Sequence, residues 1–499
     1  MFAGEVDGVP VTWQDHAGDV QASLVFGAGV RDEGVDGLGL NHLVQLLVLE
    51  SVSTEADQQT GVVDTAFTAS GSPAEVAEHL TECCAALAEL ARDRIDDLAG
   101  VAAQADASDR VISLDLELSD PCRDPWASLL ARRLGAAGAG VLRWPPVDYT
   151  DFTADEVRAH VAGYFTGGNA ALALTRAPWP GLRLPLPSGE RPVRADLVPV
   201  RPGSGWYEDE VAGPGLAVTA AAGPAAHLVF ALLHRRVNQA LEEAGLDCVA
   251  TPWLTPVGTA TALLGLGVQF SGKRGRDTAL AARILWEQLR SLAEAPVPQA
   301  DLDWAVSWHA GDGAELPEEL RRILDRQGVT ESLRAAMRLE PVAGAARAGL
   351  LGVCDSASPA ELAAAAELTP AELRAAVASW LHTALVVVPV GSGVQLDGLA
   401  RFDCPLSSYV PEGRMLRPSL LRKFGRGEER LVLAPDGIHH VRGDGSVHSF
   451  PTNDAMVVEQ GKQVYLGNVR HGCLVDVGRL ADAVTLAEVL PPRRLRRIG

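Results

Sequence analysis

The sequence predicts an α+β protein in which one α/β sandwich half-domain occurs twice and a small β domain follows. Three observations predict this fold: a helix–strand unit recurs, strands and helices come in groups, and the residue pattern changes near residue 426. The chain has 499 residues, more than one ordinary domain needs. We assign residues 1–185 to the first half, 186–205 to a linker, 206–395 to the second half, 396–425 to a second linker and 426–499 to the β domain.

The recurring unit is a capped helix followed by an apolar strand. It reads "FTADEVRAHVAGYFTGGNAALAL" in the first half and "LTPAELRAAVASWLHTALVVVPV" in the second. In each copy a threonine stands three residues before a glutamate, as a capping box requires, and apolar residues recur at helical spacing. The pairs are Thr153 with Glu156 and Thr369 with Glu372. Two unrelated amphipathic helices are the alternative, but they would not share the strand that follows, so we favour a duplication.

Other elements of each half agree with this division. Strand-like runs, "DVQASLVFGAGV" in the first half and "GLAVTAAAG" in the second, precede helical segments. The segment "LPSGERPVRADLVPVRPGSG" between the halves is rich in proline and glycine, which is typical of a linker. Because strands and helices are grouped and do not alternate strictly, the pattern favours layered α+β halves.

The β domain is predicted from short apolar runs separated by turn residues. In "ERLVLAPDGIHHVRGDGSVHSFPTNDAMVVEQGKQVYLGN" the turns are PDG, GDG, TND and QGK. A sandwich of the pleckstrin-homology type would fit, with "GRLADAVTLAEVL" as a terminal helix. The arginine-rich end "PPRRLRRIG" is predicted to be a solvated tail. His439, His440 and His448 suggest a metal site, but neighbouring strand residues face opposite sides, so at most two converge and we predict no metal.

Composition limits the partners and the compartment. A formal net charge of −21 argues against nucleic-acid binding, which needs a basic surface. The charge-free stretches 211–234 and 251–272 contain Gly, Pro and Thr, so they indicate buried elements and no membrane contact. The seven cysteines form no CxxC pair, and the beginning of the chain has no signal-peptide pattern. We expect a cytoplasmic protein with reduced thiols.

The stretch "GAGVRDEGVDGLGLNHLVQLL" carries a family resemblance. With Gly29, Arg31, Glu33, Gly37 and His42 in these positions, it resembles the segment before the active site of M16 (insulinase or pitrilysin) peptidases. The resemblance covers residues 1–395 in outline. It implies repeated α+β halves that close like a clamshell.

The catalytic motif of that family is degenerate in this chain. M16 peptidases carry H-x-x-E-H, in which both histidines bind zinc and the glutamate activates the bound water. Here the three positions are His42, Gln45 and Leu46. The family's third ligand would correspond to Asp115 or Glu117. One histidine and one carboxylate fall short of the three protein ligands of a catalytic zinc, so we expect no catalytic residue and no metal here.

The second half of the family contributes an arginine and a tyrosine, seven residues apart, to the substrate carbonyl. The equivalent segment is "RRVNQALEEAGLDCVATPW", which places Leu241 and Cys248 at these positions. Neither side chain can stabilise an oxyanion as arginine and tyrosine do. Arg235 and Arg236, from another turn of the helix, are the remaining candidates for substrate binding.

The resemblance therefore implies a pseudopeptidase. Such a chain would bind a peptide, or pair with an active M16-like subunit or a second copy of itself, and any zinc would reside in an active partner. The β domain would serve for docking. The alternative is a zinc-dependent endopeptidase that is active only as a heterodimer, with this chain supplying substrate-binding groups.

Overall fold

The computed structural model describes most of the chain, in two α/β halves and a β domain. The described residues are 1–52, 58–92, 98, 100, 102, 122–194, 197–221, 223–258, 261–272, 277–295, 297–309, 330–352, 367–417 and 429–498. Their helices are α1 (Leu40–Glu50), α2 (Pro73–Arg92), α3 (Pro125–Leu134), α4 (Ala154–Tyr164), α5 (Pro224–Glu243), α6 (Thr278–Glu294), α7 (Gln299–His309), α8 (Thr330–Leu351), α9 (Pro370–Leu381) and α10 (Ala483–Ala487).

The strands fall into three groups along the chain. In the first half they are β1 (Phe2–Val6), β2 (Val9–Trp13), β3 (Val20–Phe26), β4 (Gln58–Thr60), β5 (Thr65–Gly71) and β6 (Ala170–Leu174). In the second half they are β7 (Gly205–Asp209), β8 (Gly215–Ala221), β9 (Cys248–Gly258), β10 (Thr261–Phe270) and β11 (Leu385–Pro389). The remaining strands are β12 (Leu406–Ser407), β13 (Arg414–Leu416), β14 (Arg430–Ala434), β15 (Gly437–Val441), β16 (Val447–Pro451), β17 (Ala455–Gln460), β18 (Gln463–Asn468), β19 (Cys473–Asp476) and β20 (Leu495–Ile498).

The two halves have the same sheet topology. The first sheet has the order β1-β2-β6-β3-β5-β4 and the second β7-β11-β8-β10-β9. Apart from the additional β1, each sheet consists of one parallel pair followed by three antiparallel pairs. Both predicted capping boxes form, at the starts of α4 and α9. The predicted α+β duplication is therefore confirmed.

Each sheet is covered on one face by helices of its own half and on the other by a helix from the opposite half. In the first half, α3 packs Trp126 and Leu129 against Leu263 and other residues of the second sheet. In return, α8 of the second half packs Val342 against Val25 and other residues of the first sheet. The exchange joins the two halves through two apolar cores, so separating them would expose both cores to water.

A buried polar cluster, consisting of Ser128, Arg143, Tyr207 and Asp209, lies where the halves meet. The Arg143 guanidinium donates to Asp209 Oδ2 at 2.9 Å, and both side chains are almost completely buried. Ser128 Oγ donates to the same oxygen at 2.6 Å, and the N–H of Leu474, in the β domain, donates to Oδ1 at 3.3 Å. Asp209 thus connects three parts of the chain.

The β domain is a sandwich of two sheets, ordered β12-β16-β15-β14-β13 and β19-β18-β17-β20. Its core includes Ile438 and Phe450 from one sheet and Val457 and Leu466 from the other. The predicted sandwich is present, and its pleckstrin-homology type stays a prediction. Strands β12 and β13 come from the segment assigned to a linker. The terminal helix α10 has five residues, and a final strand, β20, follows it.

The prediction of a solvated C-terminal tail is wrong. Strand β20 pairs with β17, and Arg496 is 2% exposed and donates to the carbonyl of Val35 at 2.8 Å. Arg493 forms an ion pair with Glu156 at 2.7 Å, and Arg494 forms one with Asp36 at 3.0 Å. The arginines therefore hold the β domain against acidic groups of the first half, which a local reading of a basic run cannot reveal.

Candidate functional site

The segment before α1 forms a tight corner against residues 61–64. The N–H of Val30 donates to the Gly61 carbonyl at 3.1 Å, and the N–H of Arg31 to the Val62 carbonyl at 2.9 Å. At Gly29 a Cβ atom would lie 2.5 Å from the Val62 oxygen, so only glycine fits. Gly39, immediately before the helix, has φ +104°, which also favours glycine.

Glu33 holds the beginning of α1 in place. Its carboxyl oxygens accept hydrogen bonds from the N–H groups of Gly39 at 2.8 Å and Asn41 at 2.6 Å, which have no partners inside the helix. Burial raises the pKa of Glu33 to about 8, although the two hydrogen bonds act in the opposite direction. Gly29, Glu33 and Gly39 therefore have a structural role that requires no metal.

The raised pKa of Glu33 gives a pH-dependent stability. Between about pH 4.5 and 8 the unfolded chain ionises this carboxyl while the folded chain keeps it protonated. The contribution of Glu33 to the free energy of unfolding therefore falls as the pH rises through this window. In the unchanged protein this decline should amount to a few kcal/mol across the window. The free energy of unfolding of Glu33→Gln, measured with urea at the same pH values, should not show it.

The control for that measurement is Glu75→Gln, at the exposed start of α2. Hydrogen bonds from Ser72 lower the pKa of Glu75, so its contribution changes only below about pH 4.5. Between pH 4.5 and 8 its free energy of unfolding should depend on pH in the same way as that of the unchanged protein. If the free energy of unfolding of Glu33→Gln also shows this same pH dependence, the buried carboxyl does not titrate as described.

The three motif positions lie on α1, packed into the first half. His42 is 6% exposed, with its ring centroid 6.0 Å from that of Tyr149. Gln45 is completely buried; its Nε2 donates to the Ala66 carbonyl at 3.1 Å, and its Oε1 accepts from the Thr60 hydroxyl. Leu46 is partly buried against the apolar core of the first half. At the position of the general base, an amide is thus fixed to strands β4 and β5.

These residues do not fit a catalytic zinc. Leu46 has no donor atom, and the only oxygen of the Gln45 side chain already accepts a hydrogen bond. Within the described ranges, His42 belongs to no group of three potential metal ligands. Asp115 and Glu117, the candidates for a third ligand, lie outside the described residues. An amide also cannot take a proton from water as a carboxylate can.

In the second half, the positions that correspond to the family's arginine and tyrosine are Leu241 and Cys248. Leu241 is fully buried in the core, and Cys248 is the first residue of β9, where burial and the neighbouring Asp247 raise its pKa. Arg235 lies 4.4 Å from the ring centroid of Trp304, and Arg236 forms an ion pair with Asp301 of α7 at 2.9 Å. The two arginines thus contact α7, and a role in substrate binding stays a prediction.

Strand β9, at one edge of the second sheet, is poorly suited to pair with an added strand. Alternate residues of β9 direct their backbone groups away from β10. The N–H of Ala250 donates to Asn238 Oδ1 at 2.8 Å, and its carbonyl lies 2.8 Å from His234 Nε2, both on α5. Pro252 and Pro256, in the same alternating set, have no N–H to offer. Native proteins use such features to prevent strand addition.

Comparisons by sequence return no matching protein family and no matching curated protein. Solved structures do match. A peptidase M16 inactive domain from Pseudomonas fluorescens aligns with TM-score 0.54 and 15% identity, over 77% of this chain and 96% of that one. This chain has the M16 peptidase fold. The resemblance inferred from the sequence is confirmed at this level.

Two further structures with this fold extend the comparison. A chain of Complex III2 from Candida albicans aligns with TM-score 0.53 and 13% identity, over 77% of this chain and 94% of that one. A putative M16-like peptidase from Alicyclobacillus acidocaldarius aligns with TM-score 0.52 and 14% identity, over 78% of this chain and 98% of that one.

Among the helices of the described residues, none is both long and apolar enough to cross a membrane.

Proposed function

We propose that this chain is a catalytically inactive, M16-like pseudopeptidase that acts as the non-catalytic partner of an active M16 subunit, or holds a peptide without cutting it. The observation that carries the proposal is the state of α1. The general-base position is a buried amide fixed by Thr60 and Ala66, and the second ligand position is a leucine. We further propose a cytoplasmic location, because Cys83, Cys84, Cys248, Cys404 and Cys473 form no disulfide.

The edge of the second sheet favours a partner subunit over peptide capture along β9. An extended peptide binds a sheet edge through backbone N–H and carbonyl groups. At β9 two of these donors are replaced by Pro252 and Pro256, and Ala250 is already bonded by α5. A bound peptide would therefore have to use the opposite half, where β4 ends the first sheet.

The proposed inactivity is tested with a quenched fluorescent peptide library and added zinc. We expect no cleavage by the purified chain, and the same background from His42→Ala as a matched control. Zinc-dependent cleavage that His42→Ala abolishes would contradict the proposal, because it would require a working site on α1.

The partner role is tested by mixing the chain with an active M16-like subunit and measuring association by analytical ultracentrifugation. We expect a pair, and we expect any peptidase activity to remain when Arg235 and Arg236 are both replaced by alanine. If activity falls while the pair still forms, the alternative of an obligate heterodimeric endopeptidase is correct. The proposal fails if three results coincide: the chain does not associate with this subunit, it does not associate with itself, and it does not raise the fluorescence anisotropy of a labelled unfolded peptide.

A further inference from the structure

Three metal-binding side chains from distant parts of the sequence meet in the β domain. Cys404 precedes β12, His448 lies on β16 and Cys473 is the first residue of β19. Their sulfur and nitrogen atoms all lie within 4.8 Å of one another. His448 is 2% exposed, Cys473 is 6% exposed, and Cys404 is partly exposed. Cys404 is thus the most exposed of three largely buried ligands.

The spacing suits a tetrahedral thiophilic ion. Bonds of about 2.3 Å to sulfur and 2.0 Å to nitrogen place adjacent tetrahedral ligands about 3.5–3.8 Å apart. The distance from His448 Nε2 to Cys473 Sγ is 3.5 Å. Two cysteines and one histidine form a ligand set that favours zinc or copper(I) over calcium or magnesium.

A buried arginine provides a second, independent observation. Arg132 is 2% exposed, and its Nη1 lies 3.3 Å from Cys404 Sγ and 3.2 Å from the His471 carbonyl oxygen. Its guanidinium carbon also lies 4.4 Å from the ring centroid of Tyr207. A buried guanidinium needs a nearby anion, and the Cys404 sulfur can supply that charge as a thiolate.

We propose that Cys404, His448 and Cys473 form a zinc site that fastens the β domain to the segment leading into it. When Zn²⁺ binds, Cys473 releases its proton to solvent, two thiolates balance the charge of the ion, and water takes the fourth position. Arg132 stabilises the Cys404 thiolate from outside, as partners of metal ligands commonly do. The site is separate from α1.

This site differs from the histidine cluster considered in the sequence. His439 lies 3.0 Å from the Ser449 hydroxyl, and His440 lies 2.8 Å from Glu429, so only His448 joins the new cluster. The prediction that the chain has no metal site considers the histidines and the cysteines separately, and Cys404 and Cys473 have no metal-binding spacing of their own. They are far apart in the sequence and outside any CxxC spacing, so only the fold brings them together.

The proposal is tested by titrating the reduced, chelator-treated full chain with Co²⁺. We expect about one cobalt per chain, with a thiolate-to-cobalt charge-transfer band that zinc abolishes. Cys404→Ser and Cys473→Ser should each lose the band, whereas His42→Ala and Cys248→Ser should keep it. Added zinc should raise the melting temperature of the unchanged protein but not that of Cys404→Ser.

Cys404 is partly exposed, so Cys404→Ser should fold, and circular dichroism verifies this. Two results would overturn the proposal. One is a cobalt spectrum without the charge-transfer band, or with a band that persists in folded Cys404→Ser. The other is a disulfide between Cys404 and Cys473, found by peptide mapping of chain kept under reductant.

Discussion

Replacing Asp209 with asparagine is expected to lower the free energy of unfolding by about 3–5 kcal/mol. The substitution keeps the size of the side chain but removes its charge, so the buried Arg143 guanidinium loses its ion pair with Asp209. Breaking a buried pair from one side costs far more than losing an exposed pair. Urea denaturation followed by circular dichroism measures the change.

The control is Asp155→Asn, which breaks the exposed pair of Asp155 with Arg158. This pair should contribute less than about 1 kcal/mol. The double variant Asp209→Asn with Arg143→Met should recover part of the loss, because it leaves no buried charge alone. An Asp209→Asn effect as small as that of Asp155→Asn would show that the cluster does not hold the halves together.

The second large effect is expected for Trp126→Ala, at about 3–5 kcal/mol. Trp126 lies on α3 of the first half but is fully buried against the second sheet, stacked on Trp253 with ring centroids 5.8 Å apart. Gly265 leaves room for its ring, since a Cβ atom there would clash with it. The loss of this side chain therefore leaves a cavity between the halves.

Because the two halves exchange helices, Trp126→Ala should lower the stability of both halves together. Circular dichroism and tryptophan fluorescence should report one shared transition at lower urea. Trp13→Ala, at a partly exposed position, should lower stability less than Trp126→Ala does. Two separate transitions in the unchanged protein would mean that the halves unfold independently, contrary to the observed packing.

Local patterns were sufficient to predict the duplication. Each capping box and the strand after it depend on neighbouring residues, so Thr153 and Thr369 identify the same unit twice. Nothing in the local sequence of α3, which is buried on all sides, indicates that it packs against the sheet of the other half. The helix exchange was for this reason not foreseen.

The candidate sites divide in the same way. The substitutions at Gln45 and Leu46 are visible in the sequence, because the motif is contiguous, and the structure adds the hydrogen bonds that fix Gln45. Two other features depend on tertiary contacts between distant segments. One is the packing of the arginine-rich C-terminal segment against the first half, and the other is the proximity of Cys404 and Cys473. No local pattern encodes them.

The central proposal is that α1 has a purely structural role and binds no zinc. Its most direct test is the zinc content of the Cys404→Ser/Cys473→Ser double variant, which removes the site proposed in the β domain, measured by elemental analysis after expression with zinc. We expect no bound zinc. About one zinc per chain, lost when His42→Ala is added, would contradict the claim and restore a metal centre to α1.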